Sequence, residues 1–294
     1  MVAYREEPCR TALNKVKGMP FPWSLNPYTG CAHQCTFCYV RGFERRADRP
    51  SDDRYGTDIR VKINIAEVLR RELARRSWAR EEVTIGAATD PYQPAEGRYR
   101  LTRACLIELS RALTPFSLIT RGPMVWRDVD VLQDAAQRVE LSVNVSVPTL
   151  DDRIWRTTEP GTAPPRRRLE IVRRLVDAGI RTNVAIAPIL PGLSDRPELL
   201  AEAVAAAREA GAHHLWANVL NLRPGTREHF LACLERDWPE ERARYDELYE
   251  GRSYLPSAQA KSVTAYVASL AREHATQRRP PLRPRPIPTQ LTLV

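Results

Sequence analysis

The sequence contains little cysteine: there are six cysteines in 294 residues, and three of them stand alone at Cys9, Cys105 and Cys233. A chain this long with so few cysteines does not carry the disulfide framework of a small secreted protein. No apolar run approaches the ~20 residues that span a bilayer, and residues 1–7 lack the apolar core of a secretory signal. These absences argue against the disulfide-stapled, membrane-spanning and secreted classes and predict a cytoplasmic protein.

Acidic residues are also in deficit, since the formal net charge is +9 at pH 7. A basic surplus favours a polyanionic partner, and nucleic acid is the obvious one. Two features weaken this inference. Arginine makes up nearly all of the 45 basic residues, a usage that GC-rich coding also produces, and several arginines lie near the end of the chain at Arg278, Arg279, Arg283 and Arg285. Charge alone therefore favours nucleic acid only slightly.

The other three cysteines form a motif. Cys31, Cys35 and Cys38 have CxxxCxxC spacing. Three thiolates at this spacing can hold three irons of a [4Fe–4S] cluster and leave the fourth iron without a protein ligand. An open ligand position is typical of catalytic rather than structural metal sites. Zinc is the alternative, but it prefers four ligands, and His33 is the nearest candidate for the fourth.

The residues around these cysteines carry a family resemblance. Phe37 precedes the last cysteine, Tyr39 follows it, and Ser-Leu-Asn-Pro-Tyr-Thr-Gly occupies residues 24–30. The motif resembles that of radical S-adenosylmethionine (SAM) enzymes, and the preceding run is similar to the spore-photoproduct-lyase-like branch. The resemblance implies an enzyme with a [4Fe–4S] cluster and an electron donor such as flavodoxin or ferredoxin. Such enzymes cleave SAM reductively, and the resulting radical abstracts a substrate hydrogen.

Strand and helix patterns alternate along most of the chain. The predicted strands are residues 23–28, 83–88, 116–120, 139–145, 181–187 and 214–219. The predicted helices are residues 59–76, 101–113, 125–137, 166–178 and 198–210, with Gly179 and Gly211 ending the last two. Strands separated by helices of this length predict βαβ units and a parallel sheet. About six such units match the partial (β/α)6 TIM-type barrel that the resemblance implies.

The pattern divides the chain into four predicted regions. They are an N-terminal extension (1–19), the core barrel (20–222), a C-terminal helical extension (223–275) and a disordered tail rich in proline and arginine (276–294). The extension is predicted to contain helices at residues 226–236, 240–250 and 256–274. The chain ends in Gln290, Leu291, Thr292, Leu293 and Val294, which resemble a pentapeptide that docks bacterial DNA-metabolism proteins on the sliding clamp. A frayed apolar end is the alternative.

Ligands of parallel α/β folds bind at the carboxyl ends of the strands, so polar residues there are candidates for holding SAM. The predicted SAM-binding residues are Tyr39, Thr89, Asp90, Arg121, Ser142, Asn144 and Ala187. By resemblance, Thr89 and Asp90 replace the residues that bind the methionine amino group. Arg121 could likewise pair with the methionine carboxylate. Asp90 could instead open a turn before Pro91.

Two observations limit what the resemblance implies. Photoproduct lyases place a hydrogen-donating cysteine just before the pair that corresponds to Thr89 and Asp90, whereas this chain has alanine at 87 and 88. Cys105 falls on a predicted helix and is interpreted as a buried core residue. The hydrogen-return step of thymine-dimer repair is therefore not expected here. The run Glu-Pro-Gly at residues 159–161 also occurs in relatives, but no role follows for it, and a structural turn explains it equally well.

Three hypotheses of function follow from the sequence. The first is a radical SAM enzyme, lyase-like and acting in DNA repair or nucleic-acid modification. The second keeps the radical chemistry but moves it to RNA, a peptide or a small molecule. The third is an iron–sulfur or zinc nucleic-acid-binding module without catalysis. An auxiliary cluster is not expected, because the remaining cysteines are isolated from one another.

Overall fold

A computed structural model of the chain describes residues 2–274 and 280–284. Ten strands occur in this part of the chain. They are β1 (Ala3–Glu7), β2 (Leu13–Lys15), β3 (Trp23–Leu25), β4 (Tyr28–Thr29), β5 (Asp58–Lys62), β6 (Val83–Ile85), β7 (Phe116–Thr120), β8 (Leu141–Ser146), β9 (Thr182–Ile189) and β10 (His214–Val219).

The central sheet has seven strands in the spatial order β10-β9-β8-β7-β6-β3-β2. Strands β3, β6, β7, β8, β9 and β10 are all parallel and follow one another in chain order, while β2 pairs antiparallel with β3 at one edge. Neighbouring parallel strands joined by helices form the wall of a barrel that stays open between its first and last strands. The predicted partial (β/α)6 barrel is confirmed.

Residues 2–274 and 280–284 also contain eleven α-helices. They are α1 (Arg41–Arg46), α2 (Ile65–Leu73), α3 (Pro94–Tyr99), α4 (Leu101–Arg111), α5 (Val129–Ala136), α6 (Asp152–Thr158), α7 (Pro165–Asp177), α8 (Pro197–Glu209), α9 (Thr226–Asp237), α10 (Arg242–Leu248) and α11 (Ser257–Glu273). Two 3₁₀ segments, Pro123–Asp128 and Pro239–Glu241, precede α5 and α10. Gly179 and Gly211 follow α7 and α8 with φ of +81° and +84°, as predicted for glycines that end helices.

A second, three-stranded sheet corrects one prediction. The helix predicted over residues 59–76 begins only at Ile65, and residues 58–62 form β5 between β1 and β4. Within β5, Ile59 and Val61 are fully buried whereas Asp58, Arg60 and Lys62 are not, which is the period-two pattern of a strand. A few closely spaced apolar residues fit both the helical period of 3.6 residues and the strand period of two. The sequence pattern therefore did not distinguish this short strand from the helix that follows it.

The C-terminal helices pack in two places. Helix α11 lies against β10 and α8 on the outside of the barrel. Helices α9 and α10 contribute Phe230 and Tyr245 to an apolar cluster that also contains Cys35 and Phe37. The helical extension therefore supports the loop that carries the cysteine motif.

Most of the predicted tail, including Gln290, Leu291 and Leu293, lies outside the described residues. Residues 280–284 have no regular secondary structure, and the Leu282 amide donates a hydrogen bond to the Gly179 carbonyl at 2.7 Å. Among the helices described, none has the length and apolar character needed to cross a bilayer.

Candidate functional site

The cysteine motif lies in one loop, residues 31–38, between β4 and α1, which we call the cysteine loop. Cys31 and Cys35 are buried, and Cys38 is partly buried. All three border a cavity of about 740 Å³ whose remaining wall comes mainly from residues at the carboxyl ends of the parallel strands. The sheet therefore places the cysteines where parallel α/β folds bind ligands.

Two glycines allow distant backbone to touch the cysteine loop. A Cβ built on Gly56 would lie 2.2 Å from the Cys31 carbonyl oxygen, and one on Gly161 would lie 2.4 Å from the Ala32 carbonyl oxygen. No side chain fits at these distances, so glycine is required at both positions. Gly56 also has a φ of +80°, which other residues rarely adopt. The loop is thus held between backbone segments on two sides.

The buried thiols suit a bound cluster. Burial raises the pKa of the Cys35 and Cys38 thiols, and the other thiols nearby raise it further. Metal coordination stabilises such groups as thiolates. In the described part of the chain, no three His, Cys, Asp or Glu side chains converge as ligands of a single metal ion. A four-iron cluster instead binds each thiolate through a different iron, so thiols spread around a cavity wall fit it.

Asp90, which follows β6, has a carboxylate surrounded by donors from the chain. Oδ1 accepts hydrogen bonds from the Thr120 hydroxyl at 2.7 Å and the Tyr92 amide at 2.8 Å, and Oδ2 accepts one from the Arg121 amide at 2.6 Å. Oδ2 also lies 3.3 Å from His33 Nδ1, without hydrogen-bond geometry. Burial alone would raise the pKa of Asp90, but His33 and the hydrogen bonds lower it to about 2. The bond from Tyr92 is the turn contact that the sequence left open as an alternative.

Thr89 is tied to the segment that leads into the cysteine loop. The amides of Ala88 and Thr89 donate to Asn26 Oδ1 at 2.9 and 3.3 Å. The Thr89 hydroxyl donates to the Tyr28 carbonyl at 3.3 Å. These bonds join the end of β6 to the residues just before Cys31.

Arg121, at the end of β7, is part of a buried ion-pair network. Its Nε donates to Glu159 at 2.6 Å and its Nη2 to the Ala187 carbonyl at 3.0 Å. Glu159 also pairs with the fully buried Arg168. Burial alone would lower the pKa of Arg121, but Glu159, Cys35 and Asp90 together outweigh this and raise it. The guanidinium therefore stays charged beside the cavity.

Small polar side chains form the floor of the cavity. Thr84, Ser117 and Ser142 are register partners on β6, β7 and β8, so their side chains lie on the same face of the sheet. The Thr84 and Ser117 hydroxyls are 3.0 Å apart. One layer higher, Asn144 accepts a hydrogen bond from Asn183 at 3.1 Å. Branched apolar residues fill the interior of most such barrels; here the small hydroxyl residues leave room for a ligand.

All ten predicted site residues border this single cavity. They are Cys31, Cys35, Cys38, Tyr39, Thr89, Asp90, Arg121, Ser142, Asn144 and Ala187. The Tyr39 hydroxyl donates to the Ala87 carbonyl, which brings the residue after the motif to the end of β6. Cys105 lies on α4 in the apolar core of the barrel, as predicted.

The sequence did not single out several other residues of the wall. Tyr55 is buried with its hydroxyl 3.5 Å from Cys38 Sγ. Trp216, Asn218 and Asn221 line the cavity from β10 and the segment after it. Asn221 lies just beyond the end of β10, so the search for polar residues at strand ends that identified Asp90 would also have identified it. No local sequence pattern indicates a role for Tyr55.

The family follows from a sequence profile. The profile of the Radical SAM superfamily matches residues 25–204, a span that contains the cysteine loop and β6 to β9. The chain belongs to the radical SAM superfamily. Radical SAM enzymes use a [4Fe–4S] cluster, SAM and an electron donor, so this protein is an enzyme of that chemistry. The alternative of a binding module without catalysis is not retained.

Individual relatives extend this result. An uncharacterized protein of Mycobacterium tuberculosis is 39% identical over 272 residues, which are 92% of this chain and 80% of the relative. One of Methanocaldococcus jannaschii is 23% identical over 228 residues, 78% of this chain and 81% of the relative. Spore photoproduct lyase, solved with bound AdoMet and dinucleoside spore photoproduct, superposes with a TM-score of 0.68 at 16% identity, covering 92% of this chain and 79% of the lyase. This likeness confirms the radical SAM barrel.

Proposed function

We propose that this radical SAM enzyme acts on nucleic acid and abstracts a hydrogen atom from a nucleotide unstacked into the cavity. The observation that carries the proposal is a pair of aromatic side chains in the cavity wall, Tyr39 and Trp216, which are each more than one third exposed. Exposed aromatic side chains are the usual platform on which proteins stack unstacked bases. The net charge of +9 suits the phosphate backbone.

Cys31, Cys35 and Cys38 are proposed to hold the cluster through their thiolates. When bound and reduced, the cluster supplies the electron that cleaves SAM, and the resulting 5′-deoxyadenosyl radical abstracts the substrate hydrogen. The protein contributes apolar residues to the cavity wall, among them Phe37 and Val40, which are buried. Excluding water and stray hydrogen donors protects a reactive radical from side reactions.

The strand-end residues are proposed to bind SAM. Thr89 and Asp90 would receive its amino group, since the Asp90 carboxylate is held ionised by its surroundings. Three of about four acceptor positions on a carboxylate are already occupied at Asp90, so its share in SAM binding is one contact. Arg121 would pair with the methionine carboxylate, because its Nη1 makes no hydrogen bond to any residue in 2–274 or 280–284.

The remaining predicted contacts would hold the nucleoside part of SAM. Ser142 and Asn144 present hydroxyl and amide groups from β8, and Ala187 presents backbone groups at the end of β9. Tyr39 closes the same space from the cysteine loop side through its contact with Ala87. Residues from five separate segments would therefore enclose one molecule of SAM.

The reaction is proposed to differ from thymine-dimer repair. The lyase structure contains a dinucleoside photoproduct, which supports a nucleic-acid substrate for this protein. Alanine nevertheless stands at positions 87 and 88, where photoproduct lyases carry their hydrogen-donating cysteine. Cys105 cannot replace it, since this thiol is fully buried in the core. Abstraction of hydrogen is therefore retained in the proposal and its return by a cysteine at this place is not.

Two further proposals concern the setting of the enzyme. A reducing cytoplasm with flavodoxin or ferredoxin as electron donor suits an open iron–sulfur cluster. Docking on the sliding clamp through Gln290, Leu291 and Leu293 rests on the sequence alone, because these residues lie outside the described part of the chain.

The substrate proposal is tested with Trp216, which is 37% exposed on the edge strand β10. We expect Trp216→Ala to raise the Kd for a labelled single-stranded DNA oligonucleotide about fivefold or more, since stacking of one base contributes ~1–3 kcal/mol. Fluorescence anisotropy of the cluster-loaded protein measures this, with an RNA oligonucleotide as a second arm.

Tyr266→Ala is the matched control, because Tyr266 is 38% exposed but lies on α11, away from the cavity wall. We expect this variant to bind the oligonucleotide like the wild type. Equal affinities of wild type and Trp216→Ala, or no binding of either nucleic acid by the wild type, would contradict the proposal and favour a peptide or small-molecule substrate.

A further inference from the structure

The segment at residues 158–161, which joins α6 to α7, touches the cysteine loop directly. The Thr36 amide donates to the Thr158 carbonyl at 2.9 Å, and the Gly161 amide donates to the His33 carbonyl at 3.0 Å. The backbone of Gly161 approaches the loop so closely that no Cβ would fit between them. This segment contains the Glu-Pro-Gly run to which the sequence gave no role.

The same segment carries Glu159, whose side chain is 1% exposed. Its Oε1 accepts hydrogen bonds from Arg121 Nε at 2.6 Å and Arg168 Nη1 at 3.1 Å, and its Oε2 accepts one from Arg168 Nη2 at 3.1 Å. Arg168 is anchored in turn, with its Nη1 donating to the Ser146 carbonyl at 2.9 Å and its Nη2 to the Thr162 hydroxyl at 2.7 Å. Glu159 is therefore rigidly placed and shares one negative charge between two arginines.

Arg121 needs such an anchor. An unbound arginine side chain has about 2 kcal/mol of rotamer entropy to lose when it binds a ligand. Arg121 donates a hydrogen bond from Nε to Glu159 and one from Nη2 to the Ala187 carbonyl. Its guanidinium also lies 5.5 Å from the centre of the Phe37 ring. Its Nη1 has no hydrogen-bond partner among the residues described and remains available to a ligand in the cavity. The arginine is thus ordered before a ligand arrives.

We propose that Glu159 is a positioning residue that fixes Arg121 for the carboxylate of SAM and couples this contact to the cysteine loop. The backbone at Thr158 and Gly161 holds the loop, and the side chain between them holds the arginine. One short segment therefore sets the distance between the place of the cluster and the place of the carboxylate. This inference rests on the proposed role of Arg121 in binding SAM.

The test measures the Kd for SAM of anaerobically reconstituted protein by equilibrium dialysis with labelled SAM. We expect Glu159→Gln to keep the wild-type iron content but raise this Kd by about tenfold or more, the usual effect of losing a residue that orients a ligand-binding group. In an Arg121→Ala background, the Glu159→Gln change is expected to add nothing further, because both changes remove the same contact. Glu159→Asp, which keeps the charge, is expected to recover part of the affinity and serves as the test if Glu159→Gln does not fold.

Glu108→Gln is the matched control. Glu108 is also largely buried and pairs with two arginines, Arg70 and Arg111, but it lies on α4 away from the cavity. We expect this variant to bind SAM like the wild type. The cluster's electron paramagnetic resonance spectrum gives a second readout, since SAM is expected to shift it less in Glu159→Gln than in the wild type.

The outcomes separate this inference from the proposed function. Wild-type affinity in Glu159→Gln, or in Glu159→Asp where that variant is the test, overturns the inference alone. Additive effects of Glu159→Gln and Arg121→Ala overturn it as well, because Glu159 would then act independently of Arg121. A wild-type protein that has a full cluster but binds no SAM overturns the proposed function together with this inference.

Discussion

A Cys35→Ala variant is expected to lose the [4Fe–4S] cluster and to form no detectable 5′-deoxyadenosine. Two thiolates at Cys31 and Cys38 cannot replace the three-thiolate set that holds three irons. The fold should survive, because replacing a small buried side chain costs on the order of 1 kcal/mol. Iron and sulfide content and visible absorption measure the cluster, chromatography of the reaction with SAM measures 5′-deoxyadenosine, and far-ultraviolet circular dichroism measures the fold.

Cys105→Ala is the control for this variant. Cys105 is equally a buried free thiol, but it lies on α4 in the barrel core and not in the cysteine loop. It should retain the full iron content and the wild-type rate of SAM cleavage. A Cys35→Ala protein that kept its cluster and its activity would show that the motif does not hold the cluster in the proposed way.

Asp90→Asn is expected to lower the free energy of unfolding by about 1–3 kcal/mol, and to weaken SAM binding. Asp90 receives bonds from Thr120, Tyr92 and Arg121 on both carboxylate oxygens. An amide can accept on only one side, so its NH₂ group would face at least one of these donors, and each buried donor left unpaired costs about 1–3 kcal/mol. The hydrogen bond from the Arg121 amide to Asp90 fixes the backbone just after β7, from which the Arg121 side chain enters the site. Losing this bond should therefore also weaken the binding of SAM.

Chemical denaturation and equilibrium dialysis with SAM measure the two effects. Asp130→Asn is the control, because Asp130 also pairs with an arginine, Arg103 at 2.6 Å, but is well exposed. An exposed ion pair contributes only about 0–1 kcal/mol, so this variant should remain near the wild type. An Asp90→Asn protein as stable as Asp130→Asn would show that the Asp90 hydrogen bonds do not hold the ends of β6 and β7 together.

Much of the fold could be predicted because local pattern and tertiary role agree. Strands β7 and β10 were predicted with the bounds that the structure gives them, because each is a mostly apolar segment that begins shortly after a turn residue, Pro115 or Gly211. Strand β5 was missed because its partner, β1, is more than 50 residues away, and a short strand is defined by that pairing rather than by its own sequence.

Some residues of the candidate site could likewise be predicted from the sequence, and others could not. The predicted residues meet at one cavity because the carboxyl ends of parallel strands converge, a rule that needs only the order of the strands. Glu159 and Tyr55 could not be found by this rule. Glu159 reaches Arg121 across 38 positions and Tyr55 reaches Cys38 across 17, each from a connection outside the strand ends. Their roles depend on tertiary contacts for which a single sequence has no local signal.

Reductive cleavage of SAM at a cluster held by the cysteine loop is the reaction on which the proposed function depends. The most direct measurement uses anaerobically reconstituted wild-type protein, reduced with dithionite, given SAM and assayed for 5′-deoxyadenosine with and without damaged DNA. We expect 5′-deoxyadenosine from the wild type, none from Cys35→Ala, and more from the wild type when the damaged DNA is added. A protein with a full complement of iron that forms no 5′-deoxyadenosine under any of these conditions would contradict the proposed function.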